Sequence, residues 1–124
     1  MPRKSAATTV DPRRVASDPY TFKGQNVVIA GLANNVEPNG DYTWVQLMAQ
    51  VPGVSNAPSQ DIVVILRPKH SDVLSSECYR VYGVMSGTSS VRNLLTGAER
   101  QVATMAAYAV EPGRRGGYGI GCVV

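Results

Sequence analysis

Tyr42, Trp44 and Met48 fall two and four positions apart in a run, Tyr42 to Val51, that also carries Val45, Leu47, Ala49 and Val51. In an extended chain, residues two apart share a face. The run therefore reads as a strand with Val45, Leu47, Ala49 and Val51 inward and Tyr42, Trp44, Gln46 and Met48 outward. Rings held on such a face stack on flat partners such as nucleic-acid bases. Tyrosine, tryptophan and methionine are also the side chains that anchor protein interfaces. Both readings stand at this stage, with Arg67 and Arg80 expected at the margins of the face.

Residue types suited to bond-making chemistry are sparse. His70 is the sole histidine, follows Pro68-Lys69 and has no nucleophile or orienting acid at a recognisable spacing. The nine acidic residues are scattered singly, without a pair suited to acid–base work. Cys78 and Cys122 lack the close spacing of zinc ligands. Gly116 to Gly121 lacks the Lys-Ser/Thr that completes a phosphate loop. The expectation is a protein that binds and does not catalyse, with no metal and no cofactor.

The formal charge of +3 is unevenly spread. Residues 1–19 carry Arg3, Lys4, Arg13 and Arg14 against Asp11 and Asp18, and residues 111–124 carry Arg114 and Arg115 against Glu111. Residues 20–110 hold six basic and six acidic side chains, so the surplus lies at the ends. A strong grip on phosphate would have to come from there. Pro2, Pro12 and Pro19, with no apolar periodicity, mark residues 1–19 as a flexible basic arm. Glu111 to Gly121 is too rich in glycine for an ordinary strand and reads as a tail. Arg114-Arg115-Gly116-Gly117-Tyr118-Gly119 resembles one unit of the arginine-glycine-tyrosine segments of RNA-binding tails, so Arg114 and Arg115 join the candidate binding residues.

A chain of 124 residues has room for one core, and between the arms five strands fill it. They run from Gln25 to Leu32, Tyr42 to Val51, Asp61 to Arg67, Cys78 to Ser86 and Glu99 to Val110. Gly31 suits a bulge, and Asn34 to Asp41 is turn-rich. Ser71 can cap a short helix from Asp72 to Glu77, buried through Val73 and Leu74. Ser86 to Gly97 is a long connection that can extend as strand through Val91 to Leu95. Three strands, a short helix and two strands make an all-β, five-stranded Greek-key barrel of the OB type.

Two segments carry a resemblance to OB-fold proteins over residues 20–110. Phe22-Lys23-Gly24-Gln25-Asn26-Val27-Val28-Ile29-Ala30-Gly31 looks like their first strand, and Tyr79-Arg80-Val81-Tyr82-Gly83-Val84-Met85-Ser86-Gly87 like their fourth. The Pro38-Asn39-Gly40 turn makes the chain similar to the small subunit of replication protein A and to the smallest subunit of the telomere-capping trimer. It is similar as well to bacterial OB domains related to the anticodon-binding domain of tRNA synthetases. The resemblance implies a small subunit of a complex that binds single-stranded DNA or RNA, partnered by other protein subunits. The alternative is an assembly module with no nucleic-acid contact. The first 25 residues lack the apolar segment of a secretory signal, so the expected setting is intracellular and reducing, nuclear in a eukaryote and otherwise cytoplasmic, with no membrane contact.

Overall fold

The computed structural model of the chain describes residues 2–51, 60–67, 72–92, 95–115 and 122–123. After a 3-10 turn at Lys4–Ala6 come β1 (Thr8–Thr9), α1 (Pro12–Ser17), β2 (Asn26–Asn39), β3 (Tyr42–Ala49) and β4 (Gln60–Leu66). The chain continues as β5 (Cys78–Arg92), β6 (Glu99–Pro112), β7 (Arg114–Arg115) and β8 (Cys122–Val123). Valine, isoleucine and small residues at alternate positions dominate β2 to β6, which suits strands with one face in a core.

The sheet is a ring and barrel-like. β2 pairs antiparallel with β3, β3 antiparallel with β4, β4 parallel with β6, β6 antiparallel with β5, and β5 antiparallel with β2 again. Val27, Ile29, Leu47, Ile62, Val64 and Met105 are among the side chains that meet inside it.

β2 serves two neighbours in succession. Asn26 to Leu32 pair with β5, and Gly31 to Asn39 pair with β3. At Gly31 the β3 backbone comes so close that a Cβ there would lie 2.9 Å from the Ala49 Cα and nearer still to the Met48 carbonyl oxygen. The bulge expected at Gly31 lies further on, between Ala33 and Asn35, so Gly31 is required for close approach instead. Asn34 to Asn39 are strand, and the turn shrinks to Gly40 and Asp41 between the paired Asn39 and Tyr42. Gly40 has φ +64°, a conformation that costs glycine little.

β5 and β6 form a longer hairpin than expected, paired from Tyr79–Pro112 to Arg92–Glu99 with register shifts between Tyr82 and Gly83 and between Met85 and Gly87. Residues 72–77 are not helical. Val73 is buried as foreseen, but Leu74 is exposed, and the Tyr79 hydroxyl holds the segment by accepting from the Leu74 N–H at 2.8 Å. The expected loop from Pro52, the Pro68 stop, His70 and Ser71 lie outside the described residues.

A helix occurs instead in the segment read as a flexible arm. Asp11 caps α1 by accepting from the Arg13 N–H at 2.9 Å, and Pro12 occupies its first turn. Val15 is fully buried in the core, and α1 touches β4 and β6. β1 pairs parallel with Val27 and Val28, filling the β2 edge that β3 leaves free beyond Gly31. The amino-terminal segment thus completes one end of the ring.

The carboxy-terminal segment is also attached. β7 pairs antiparallel with β8, and β8 lies against β2. A disulfide joins buried Cys78, at the start of β5, to buried Cys122. Disulfides persist in oxidising surroundings, so the reducing compartment expected from the sequence does not account for this bond. Among the described residues no helix is long and apolar enough to cross a membrane.

Val15→Ala should lower unfolding free energy by roughly 2 kcal/mol in urea titrations, the scale of truncating a buried aliphatic side chain; no change would mark the segment as free chain. The bond closes a loop across a sequence separation of 44, so a dithiol should remove roughly 4 kcal/mol of stability on the chain-entropy account. A denaturation midpoint indifferent to the dithiol would contradict that.

Candidate functional site

β3 alternates strictly. Thr43, Val45, Leu47 and Ala49 are buried, while Tyr42, Trp44, Gln46 and Met48 are half-buried on the outer face. The register places Trp44 between Glu37 of β2 and Ile65 of β4, and Met48 between Leu32 and Asp61. Tyr42 follows the tight Gly40–Asp41 turn, so the hairpin geometry fixes its direction.

Arg67, just beyond β4, lays its guanidinium carbon 5.1 Å from the centre of the Tyr42 ring. A cation over an aromatic face at an exposed site is worth about 0.5–1 kcal/mol and leaves the guanidinium plane available. Tyr42, Trp44, Met48 and Arg67 therefore share one surface with Leu32 and Ile65.

The charge on that surface is balanced. The surface carries the cation of Arg67 and the carboxylate of Glu37, whose Oε1 accepts from the Asn35 Nδ2 at 3.3 Å. Asp61 is ion-paired with Arg100. The carboxylate directly across from Trp44 repels a phosphate brought to the ring.

Arg80 is not among the residues around Tyr42 and Arg67. It sits on β5, in register with Ala30 of β2 and Glu111 of β6. Ala30 is two residues along β2 from Leu32, at the Met48 end of the surface, and nine from the partner of Tyr42, so Arg80 is roughly 30 Å of strand from the ring pair at about 3.3 Å per residue. Arg114 lies on β7, exposed, and Arg115 follows it in the same strand; the Arg115 side chain, like Gly116 to Gly121, lies outside the described residues.

Around Arg80 lies a second cluster with no counterpart in the sequence reading. The Tyr82 hydroxyl donates to Glu111 Oε1 at 2.8 Å, and the Lys4 ammonium donates to Glu111 Oε2 at 3.2 Å. Lys4 also stands 5.7 Å from the centre of the Tyr82 ring. Asn26 donates to the Arg3 carbonyl at 2.9 Å and accepts from the Tyr108 hydroxyl at 2.7 Å. Together these contacts strap the amino terminus over β2, β5 and β6. The Tyr82 hydrogen bond first, then Lys4, and then the field of Arg80 hold the Glu111 carboxyl below the usual range.

The chain matches no family among known protein families, no curated protein and no solved structure.

Because the folded state depresses the Glu111 pKa, the strap contributes fully above the ordinary carboxylate range and is lost as pH falls through the folded value. In an NMR titration of the carboxyl carbon, Tyr82→Phe and Lys4→Gln should each raise that pKa. An ordinary glutamate titration in the unaltered protein would show that the cluster does not form in solution.

Proposed function

We propose that the chain is a non-catalytic binding module of the OB type that works as a subunit, docking a protein partner on the outer face of β3 and β4. Supporting the OB reading are the strand order and the return of β5 to β2, a ring in which the fifth long strand inserts between the third and fourth. The reading of the face rests on one observation: Tyr42, Trp44, Met48, Ile65 and Arg67 cluster on a surface whose charges cancel. Cores of protein interfaces are enriched in aromatic residues, methionine and arginine and depleted of net charge. A single-strand groove is instead positively charged. The disulfide fits a partner met in an oxidising compartment.

Single-stranded DNA or RNA on the same face is the second reading. It is favoured by the Arg67 guanidinium stacked on Tyr42 beside Trp44, a ready platform for a base.

Trp44 reports on both. Under the protein-partner reading, the chain isolated natively from its source has a stoichiometric protein partner, and Trp44→Asp releases it while leaving the far-UV spectrum intact. Oligonucleotides should not quench Trp44 emission in the purified chain. Quenching by single strands that weakens steeply between low and high salt would overturn this reading in favour of the second, because phosphate contacts release counterions.

A further inference from the structure

A groove of about 290 Å³ opens beside the amino-terminal strap, lined by Thr9, Val28, Ala30, Arg80 and Tyr82. Its position follows from the register. Val28 has Thr9 on one side and Tyr82 on the other, and Ala30 has Arg80 beside it. All of these positions are on the outer face, since Val27, Ile29 and Val81 between them point into the core.

The lining is more polar than apolar: Val28 supplies the accessible hydrocarbon, Ala30 lies buried beside it, and Thr9, Tyr82 and Arg80 present polar groups, with Arg80 as the cation at the rim. Lys4 is satisfied by Glu111, whereas Arg80 is exposed and makes no hydrogen bond or ion pair among the described residues. Two cations therefore face one carboxylate, and one positive charge is left over at the mouth. Glu111 cannot turn to neutralise it without giving up Tyr82 and Lys4, which hold its two oxygens. The Thr9 hydroxyl likewise has no partner among the described residues.

A free guanidinium is a planar fork that matches a carboxylate with two parallel hydrogen bonds. Val28 offers the apolar contact that a short hydrocarbon chain needs, and the volume is at the small end of ligand sites. We propose that this groove is a binding site for a small aliphatic carboxylate, with Arg80 holding the carboxylate, Thr9 adding a hydroxyl donor and Val28 receiving the alkyl group. The site is separate from the β3–β4 face and stands whether or not that face docks a partner.

The probe is isobutyrate, with isobutyramide as its uncharged counterpart, followed by amide correlation spectra of the full chain. Isobutyrate should shift the amides of Thr9, Val28, Ala30, Arg80 and Tyr82 saturably, while isobutyramide leaves them in place. Arg80→Gln, at an exposed position that the fold does not need, should weaken binding by roughly ten- to a hundredfold, the worth of hydrogen bonds to a charged group. Thr9→Val should weaken it less. Equal shifts from the amide, undiminished binding by Arg80→Gln, or shifts scattered over other surfaces would each overturn the assignment.

Discussion

The structure depends on β2 pairing with two different strands through successive halves of its length. A ring of strands closes only if one of them hands over from its first neighbour to its last. β2 does so at Gly31, Leu32 and Ala33, where β5 leaves on one side and β3 arrives on the other. The absent side chain at Gly31 admits the β3 backbone, and the bulge at Asn34 turns the strand toward its hairpin. With β2 fixed, the faces of β3 and β5 are fixed as well. The Tyr42–Trp44 surface and the Arg80 groove are two outward consequences of that handover, lying on opposite halves of the same strand.

This arrangement also explains how the ends of the chain are used. The handover leaves the first half of β2 without a neighbour on the β3 side, and an open strand edge invites foreign strands. β1 occupies that edge, α1 places Val15 in the core, and Lys4 is tied to Glu111. At the other terminus, β8 rests on β2 under a covalent bond. Basic residues that would be phosphate-seeking on a loose arm are in part consumed: Lys4 by Glu111 and Arg13 by Asp11. The electrostatic case for nucleic acid weakens as the arms fold down.

The alternation in Tyr42–Ala49 was legible because a half-buried strand writes its period directly into residue type. The same holds for the inward residues of β4. The amino-terminal segment was misread because Asp11-Pro12 was counted as loop chemistry, although aspartate followed by proline is also a helix start. Turn-forming residues from Asn34 to Asn39 hid a strand because asparagine and proline are tolerated on a bulged edge. Residues 72–77 carried a capping signal without enough apolar period to sustain a helix. No local pattern could have joined Lys4 to Glu111 or Cys78 to Cys122, because those contacts exist only once the ring has closed.

The disulfide has a mechanical side. A force drawn on the carboxy terminus enters the sheet at Cys78, since Cys122 passes the load across to it. Everything between them, including all of β5, β6 and β7, is bypassed and bears no tension. About 44 residues of contour, roughly 150 Å of fully extended chain, are withheld from any stretching event while the bond lasts. Under such a pull the elements that yield are the amino-terminal strap and β2 to β4, while the long β5–β6 hairpin stays as a knot of intact structure at the end of the tether.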